Sequence, residues 1–175
     1  MQHAGGGGAI PVSTSLARAA ASGVISALAA AFEYVRQKTK QAFDDVVNQI
    51  ESDYDDAMAL ISALGTAIAT KVKESPTQNY NNHNHHIVAQ TASNAMVSRA
   101  ILDYAGIELR SSQNLVPVNA EFHSHLHTDI YYAAVNNIMI TAFLSGGTEY
   151  QRKSNITLAL AGLHATLTAC NKLLS

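Results

Sequence analysis

The fold is decided by residues 13–75, which read STSLARAAASGVISALAAAFEYVRQKTKQAFDDVVNQIESDYDDAMALISALGTAIATKVKES. This stretch contains no proline and only two glycines, Gly23 and Gly65. Its larger apolar residues recur mostly at steps of three or four, which is the period of one helical face. The sequence therefore predicts one long amphipathic α-helix, with these apolar positions: Ile25, Leu28, Phe32, Val35, Phe43, Val46, Ile50, Tyr54, Ala57, Ile61, Leu64, Ile68 and Val72.

Such a helix is too long to bury its apolar face within one small globule. An unbroken helix over 13–75 would span about 90 Å at 1.5 Å per residue. The sequence ESDYDD at 51–56 leaves a second interpretation open, in which these residues form a turn. The rod would then be a helical hairpin with two arms of roughly 30 residues. The continuous apolar period favours the single helix.

The rest of the chain divides into an arm, two loops and about three shorter helices. Residues 1–12 (MQHAGGGGAIPV) predict a flexible arm, and Pro76 with the asparagine-rich run after it predicts a loop over 76–86. A second irregular segment is expected over 106–119. We expect helices near 86–104, 120–144 and 148–174, so residues 76–175 form a helical region and the fold class is all-α.

The ends of these helices carry recognisable capping residues. Gly106 is a plausible C-cap of the first of them, and Asn119 can open the second. Thr148 and Gln151 have the spacing of a capping box at the start of the last helix. Between the first two helices, Val116 and Val118 alternate as in a short strand or an extended arm.

Composition and charge favour a structural protein. The formal net charge is −2, and because no excess of positive charge favours phosphate contacts, we expect no nucleic acid partner.

Cys170 is the single cysteine, so it is expected to be a small buried apolar residue. Only Arg18 precedes the apolar residues 19–32 closely, so no cleaved signal peptide is predicted. The expected location is a cytoplasmic assembly or a virus particle.

Charges fall in blocks along the predicted rod. Basic residues lie near 36–40 and acidic residues between 44 and 56. The simpler interpretation is a solvated face. If the blocks instead pair between neighbouring copies, they select one register while apolar contacts supply the affinity. The residues assigned to self-assembly are Phe32, Phe43, Ile50, Ile61, Arg36, Lys40, Asp53 and Asp56.

Histidines are the residues that suggest a metal site. His123 and His127 are four apart on a predicted helix and would share one face, which is the spacing of two zinc ligands. The HEXXH motif is absent, since residues 123–127 read HSHLH. A second cluster, His83, His85 and His86, lies in the predicted loop. The metal candidates are His123, His127, His83 and His86, although histidines of this kind more often serve as ordinary hydrogen-bonding side chains.

Motifs for covalent catalysis or phosphate binding are not found. The chain has no GxSxG, and GGGG at 5–8 lacks both the spacing and the lysine of a P-loop. We therefore predict no catalytic residue and no cofactor-binding residue, and expect a protein that is not an enzyme and needs no cofactor.

Part of the chain resembles a family of polymerising proteins. The residues that carry the resemblance are NNIMI at 136–140 and YQRKSNITLALAGLHATL at 150–167, with VAQTASNAM at 88–96 as a further match. Residues 134–167 are similar to the R-body protein family, whose small alanine-rich members form coiled proteinaceous ribbons. The resemblance implies polymerisation.

These observations lead to a main functional expectation and two alternatives. The main one is a non-enzymatic structural protein that self-assembles through helix packing into a polymer, ribbon or ring, including a virion or ejected tail component. Its partners are copies of itself. The first alternative is a membrane-active protein that forms a pore by inserting Leu16–Val35, with a membrane as partner. The second is a histidine-rich metal-binding protein or metal-dependent enzyme.

Overall fold

A computed structural model describes residues 23, 25–31, 33–34, 40–75 and 81–174, with the backbone only for residues 40–47, 50 and 51. This part of the chain is mostly helical and contains one small two-stranded sheet. The expectation of a helix-rich protein is confirmed, but the all-α assignment is wrong because two strands pair. The predicted arm at 1–12 lies outside the described residues, as does half of the proposed membrane segment, Leu16–Val35.

The first complete helix, α1, spans Lys40–Lys73 and continues through 51–56. The hairpin interpretation with a turn at 51–56 is therefore wrong. The apolar stripe is confirmed in the second half of α1, where Ala57, Ile61, Ile68 and Val72 are buried. Asp53, Asp55 and Asp56 do not break the helix, because their side chains lie on the opposite face and remain in solvent.

The assignment of residues to self-assembly is corrected where the structure describes them. Ile61 is only 1% exposed and belongs to the core of its own chain, so it is not available to a second copy. Asp53 and Asp56 are exposed on α1. Phe32 and Arg36 lie outside the described residues, as do the side chains of Lys40, Phe43 and Ile50. Of the four apolar residues assigned to contacts between copies, the one whose side chain is described is thus buried within its own chain.

Residues ahead of α1 also contact the folded body. Residues 25–31 and 33–34 are helical, and Ile25 is 7% exposed within the same core cluster as Ile61. The carboxylate of Glu33 lies 3.2 Å from the Arg152 guanidinium. Apolar packing of Ile25 and Ala29 and the ion pair of Glu33 thus hold this segment against the rest of the protein.

Two short strands form an antiparallel pair. Strand β1 is Asn82–His86 and β2 is Leu115–Asn119, and the register places His86 opposite Leu115 and Asn82 opposite Asn119. Each strand lies in a segment that was predicted to be a loop, 76–86 or 106–119. The residues of β1, NHNHH, carry no apolar alternation, so no local pattern predicted a strand there. In β2 the alternation of Val116 and Val118 was such a signal, and both residues are fully buried.

The connection between the strands contains a 3₁₀ turn at Ser93–Ala95 and helix α2, Met96–Ala105. Helix α2 begins well after the predicted start near residue 86, because residues 82–86 belong to the sheet. It ends at Gly106, which adopts φ 75° as the left-handed C-cap. The prediction of this cap is confirmed.

Three helices complete the chain: α3, Ala120–Leu126, α4, Asp129–Leu144, and α5, Glu149–Lys172. The single helix predicted over 120–144 is divided at His127 and Thr128, because the Thr128 side chain caps a new helix by accepting from the Tyr131 amide. Asn119 caps α3, and Thr148 with Gln151 forms the capping box of α5, as predicted.

Helix α4 lies at the centre of the packing. It contacts α1, α2 and α5, while α5 also covers β2 and α1. Cys170 on α5 is buried, as expected from the sequence. Among the helices that the structure describes, none is both long and apolar enough to cross a bilayer. The largest fully buried side chains are Tyr131, Phe122, Ile61, Ile87, Ile101, Leu102, Leu126, Ile138, Met139, Ile156, Leu160 and Leu163.

Candidate metal centre

The strand pair and the helix after it bring three histidines together. Alternate residues of a strand point to the same side, which places His83 and His85 on one face of β1. Strand β2 leads directly into α3, where Asn119 accepts hydrogen bonds from the amides of Glu121 and Phe122. This cap fixes the start of α3 beside β1, so that the histidines of α3 face those of the strand.

His85, His123 and His127 form the centre of this arrangement. Each offers one ring nitrogen, and the three nitrogens lie within 4.8 Å of one another. The Nε2 atoms of His123 and His127 are 3.2 Å apart. The ring of His85 is 5.2 Å from that of His123 and 5.3 Å from that of His127, measured between centroids. We call these three residues the histidine centre.

His85 is the buried member of the histidine centre. Its Nε2 lies 2.8 Å from the hydroxyl of Tyr131, and that hydroxyl donates to the carbonyl oxygen of Ile87 at 3.1 Å. Its other nitrogen, Nδ1, is also buried and has no hydrogen-bond partner among the described residues. A buried polar atom without a partner is costly, so this nitrogen is a candidate for binding a ligand.

The histidine centre is electrically neutral at physiological pH. Burial, with smaller contributions from the neighbouring His123, His127 and His86, lowers the pKa of His85 from 6.5 to about 3. Burial likewise lowers the pKa of His123, with a further contribution from His127, and lowers that of His127. Neutral imidazole is the form that binds metal ions, so the lone pairs are available.

A cleft opens beside the histidine centre. Its volume is about 370 Å³, and its lining residues are His86, Ala89, Gln90, Thr91, Ala92, His123, His127 and Tyr132. The Nε2 atom of His86 is buried and unpaired within the part of the chain that the structure describes. Burial lowers the pKa of His86, and the charges of Arg110 and His127 lower it further. His86 is therefore a neutral base in the wall of the cleft.

Two side chains hold the wall formed by residues 87–92. The Arg99 guanidinium donates to the carbonyl oxygens of Ala89 and Ala92 at 3.0 and 2.7 Å. Buried Asn114 accepts from the Val88 amide at 2.8 Å, and its Nδ2 donates to the Val88 carbonyl at 3.1 Å. The segment after β1 is thus fixed at both ends, although it is neither helix nor strand.

The residues of the histidine centre fit a divalent metal ion. Each histidine brings one imidazole nitrogen to the same place, His85 also has a buried, unpaired Nδ1, and imidazole is a ligand for zinc, nickel, copper and iron. The Tyr132 hydroxyl lies 2.8 Å from Nδ1 of His127 and can orient that ring from behind. Three protein ligands leave coordination positions open, which is typical of catalytic rather than structural sites.

The structure brings together part of the predicted metal set and adds a residue that the set lacked. His123 and His127 are both in the histidine centre, with His85, which the candidate set left out, as the third member. His83 stacks beside His123, with ring centroids 5.6 Å apart, but is not among the three. His86 lies in the cleft wall. A strand interpretation of 82–86 would have placed His83 and His85 on one face, yet nothing in NHNHH indicated a strand.

Comparison with known families gives one match. Residues 69–167, more than half of the chain, match the family model described as AHH, a nuclease family of the HNH/ENDO VII superfamily with conserved AHH. The matched range includes both strands, the histidine centre and the cleft. Comparisons with curated proteins and with solved structures give no match.

The match corrects the functional expectations from the sequence. The resemblance of 134–167 to the R-body family is wrong, and so is the non-enzymatic structural function, whether as ribbon, polymer or virion component. Both alternatives, the membrane pore and the histidine-rich metal-binding protein, are likewise unsupported. The resemblance was carried by residues such as Ile138, Met139 and Leu160, which are fully buried helix-packing residues and therefore common to many helical proteins.

The exclusion of nucleic acid as a partner is also wrong. It rested on the net charge of −2, which is an average over the whole chain. Phosphate contacts are local, and the acidic residues at 53, 55 and 56 lie on α1, apart from the residues that line the cleft. A metal ion also supplies positive charge that the sequence count does not include.

Proposed function

Because the chain belongs to the AHH family of nucleases in the HNH/ENDO VII superfamily, we propose that it hydrolyses phosphodiester bonds of nucleic acid with a metal ion held by its histidine centre. The observation that carries this proposal is the convergence of His85, His123 and His127 beside a cleft that contains a fourth histidine, His86. Metal-assisted hydrolysis of a phosphodiester uses a cation and a base, and both can be supplied within this arrangement.

The AHH motif that names the family corresponds to residues 84–86 of this chain. His85 and His86 are the only adjacent histidines in the sequence, and Asn84 precedes them where the family description has alanine. Asn84 is an exposed strand residue opposite Pro117, so its side chain is not required by the core. The motif thus places one histidine in the metal centre and the next in the cleft.

His85, His123 and His127 would hold the metal ion. When bound, a divalent cation there would act as a Lewis acid, polarising a phosphate oxygen and stabilising the negative charge that develops in the reaction. Two of the three rings are held for this task before any ligand arrives, since His85 contacts the Tyr131 hydroxyl and His127 the Tyr132 hydroxyl. Such preorganisation avoids the cost of moving the ligands during the reaction.

His86 is the proposed general base. It lines the cleft next to His123 and His127, and its lowered pKa keeps it neutral at pH 7. In this role Nε2 accepts a proton from the water that attacks phosphorus, and the bond to the departing ribose or deoxyribose oxygen breaks. A neutral imidazole near physiological pH suits this proton transfer.

Arg110 is the proposed phosphate contact. It is exposed, and it lies close enough to His86 for its charge to lower the pKa of that imidazole. A guanidinium can bind phosphate oxygens through paired hydrogen bonds. In this position Arg110 would hold the nucleic acid backbone near the base.

The proposal is tested by incubating the purified protein with plasmid DNA and, separately, with a long single-stranded RNA. Mg²⁺, Mn²⁺, Zn²⁺ and Ni²⁺ are added one at a time, and EDTA is added to a parallel sample. Cleavage of at least one substrate that requires a divalent cation and stops with EDTA is the expected result. The comparison of DNA with RNA identifies the preferred substrate.

Matched variants test whether cleavage depends on the residues of the proposed site. His86→Ala and His123→Ala should each reduce cleavage by 100-fold or more, which is about the scale of losing a general base or a metal ligand. His125→Ala is the control: it removes a histidine from the same helix, but one whose Nδ1 contacts the Glu121 carbonyl oxygen instead of the centre. Equal loss in His125→Ala, or full activity in His86→Ala and His123→Ala, would contradict the proposal.

A further inference from the structure

Tyr131 lies beneath the histidine centre and contacts it from the protein interior. Its side chain is 0% exposed, and its hydroxyl oxygen is 2.8 Å from Nε2 of His85 and 3.1 Å from the carbonyl oxygen of Ile87. The rings of Tyr131 and His85 meet edge to face, with centroids 5.3 Å apart. A single buried hydroxyl thus makes two hydrogen bonds, and the chemistry of the two partners determines where the hydrogens lie.

Only one arrangement of hydrogens satisfies both contacts. The carbonyl oxygen of Ile87 can accept but cannot donate, so the hydrogen of the Tyr131 hydroxyl must lie between those two oxygens. The contact with His85 then needs a hydrogen from the imidazole, and this hydrogen is on Nε2. If Tyr131 instead donated to His85, two oxygens 3.1 Å apart would face each other without a hydrogen between them.

The same geometry decides which nitrogen of His85 carries the lone pair. A phenol hydroxyl is protonated at neutral pH, so the Tyr131 hydroxyl donates to Ile87 and accepts from His85. A hydrogen on Nδ1 of His85 would be buried without an acceptor among the described residues, so the lone pair that can bind a metal is on Nδ1. This is the atom that is buried and unpaired.

We propose that Tyr131 is a positioning residue that holds His85 as the Nε2–H tautomer and thereby makes Nδ1 the atom that faces the metal. The proposal rests on the metal centre proposed above, but the tautomer itself is a property of the metal-free protein. A neutral imidazole in water exchanges between its two tautomers, and in one of them the lone pair on Nδ1 is lost. Fixing the other tautomer before binding removes that cost, as second-shell hydrogen bonds do at metal sites in general.

A comparison with Tyr132 shows why the second hydrogen bond of Tyr131, to the carbonyl oxygen of Ile87, matters. Its hydroxyl lies 2.8 Å from Nδ1 of His127, but the tyrosine is partly exposed. Among the residues that the structure describes, this hydroxyl has no second hydrogen-bond partner, so it can either donate to or accept from the imidazole. The direction of that hydrogen bond is therefore free to change, whereas the carbonyl oxygen of Ile87 fixes the direction of the Tyr131 bond.

The first test uses the wild-type protein without metal. Nitrogen chemical shifts of ¹⁵N-labelled histidines distinguish Nδ1–H from Nε2–H imidazole. The expected result at pH 7 is that His85 carries its hydrogen on Nε2, in a single tautomer. A hydrogen on Nδ1, or an even mixture of the two tautomers, would overturn the proposal without any variant being made.

The second test replaces Tyr131 by phenylalanine. Tyr131→Phe keeps the ring in the core but removes the hydroxyl, so His85 should become a mixture of tautomers. Zn²⁺ affinity, measured by calorimetric titration of the folded protein, should fall by about 10- to 100-fold. The control is Tyr104→Phe, which removes a hydroxyl from a ring that packs on Phe143 with centroids 5.1 Å apart. Tyr104→Phe should bind Zn²⁺ as the wild type does.

The two tests fail in distinguishable ways. If wild-type protein does not bind Zn²⁺, the metal centre fails while the tautomer of His85 can still be read from the metal-free spectrum. If wild-type protein binds Zn²⁺ but Tyr131→Phe binds it equally well, the metal centre stands and the positioning role of Tyr131 is overturned. A fall in thermal stability of Tyr131→Phe without a change of tautomer at His85 would likewise show a purely structural tyrosine.

Discussion

The Nε2 atoms of His123 and His127 lie 3.2 Å apart although helix α3 ends at Leu126, one residue before His127. The chain leaves the helix at His127, and the Thr128 amide bonds to the Leu126 carbonyl oxygen at 2.7 Å. This tight turn keeps the His127 ring facing His123. His123 and His127 therefore stay one turn apart although the helix ends between them, and one short segment provides two members of the histidine centre.

A metal ion should stabilise the protein through this pair. An ion that binds only the folded state raises the free energy of unfolding by about 2.7 kcal/mol when its free concentration is 100 times its dissociation constant. Thermal unfolding with and without Zn²⁺ measures the effect, and EDTA should reverse it. His123→Ala and His127→Ala should lose most of the shift, whereas His164→Ala, on α5 outside the centre, should keep it. A shift that persists in His127→Ala would show that Zn²⁺ binds elsewhere.

The metal-free protein should become less stable as the pH falls below 6.5. The folded-state pKa of His85 is lowered from 6.5 to about 3, so in this interval the unfolded state binds a proton that the folded state does not. The free energy of unfolding should therefore fall by about 1.36 kcal/mol per pH unit from this residue, or about 2–3 kcal/mol between pH 6.5 and 4.5. Urea unfolding in EDTA at the two pH values measures the change.

His85→Gln provides the comparison for this pH dependence. Glutamine can donate to the Tyr131 hydroxyl but does not titrate, so the difference in stability between pH 6.5 and 4.5 should shrink. His123 and His127 also have lowered pKa values and should leave a smaller residual dependence in the same direction. An unchanged dependence in His85→Gln would mean that other groups cause the loss of stability at low pH.

Gly65 on α1 should not tolerate a side chain. A Cβ atom at this position would lie 2.7 Å from Sγ and 2.9 Å from Cβ of Cys170, so α1 and α5 would have to move apart. We expect Gly65→Ala to lower the free energy of unfolding by about 1–3 kcal/mol, as overpacking in a core does. Denaturant unfolding measures this loss.

Gly162 on α5 is the matched control for Gly65. The nearest atoms to a Cβ there are Cε of Met58 and the hydroxyl oxygen of Tyr54, both at 3.6 Å, which is ordinary contact. Gly162→Ala should therefore stabilise the protein by up to about 1 kcal/mol through its higher helix propensity. Equal destabilisation by both substitutions would argue against the close approach at Gly65.

Arg99 should control the mobility of the cleft wall. Arg99→Met keeps the apolar stem but removes the hydrogen bonds to the carbonyl oxygens of Ala89 and Ala92. Amide hydrogen exchange of residues 88–92 should become faster, and the KM for nucleic acid should rise more than kcat falls. Arg152→Met, which removes the ion pair with Glu33 instead, should leave exchange in 88–92 unchanged. Unchanged exchange in Arg99→Met would show that Asn114 holds the wall by itself.

Much of the helical framework could be predicted from residues that act over short distances. The caps at Gly106, Asn119 and Thr148 are formed as expected, because capping depends on side chains within three residues of the helix end. The buried stripe of α1 follows from the period of its apolar residues. The proximity of His123 and His127 likewise follows from a separation of four residues.

The errors arose where the partner of a segment was distant in sequence. The apolar stripe of α1 shows that one face is buried, but it does not show which element covers that face. In the structure, α4 and α5 of the same chain cover it. Strand β1 has no apolar alternation of its own, and it is a strand because it pairs with Leu115–Asn119, about thirty residues further along. A local pattern contains no information about either contact.

The sequence by itself thus determined the helix ends that carry the caps at Gly106, Asn119 and Thr148, which face of α1 is buried, and which two histidines lie one turn apart. Only the tertiary structure decided that His85 joins them, since strand pairing and the Tyr131 hydroxyl position its ring from 46 residues away. Local hydrogen bonds and helical periodicity are encoded by neighbouring residues. A metal centre needs side chains from separate segments within a few ångströms, and that proximity is set by the packing of the whole core.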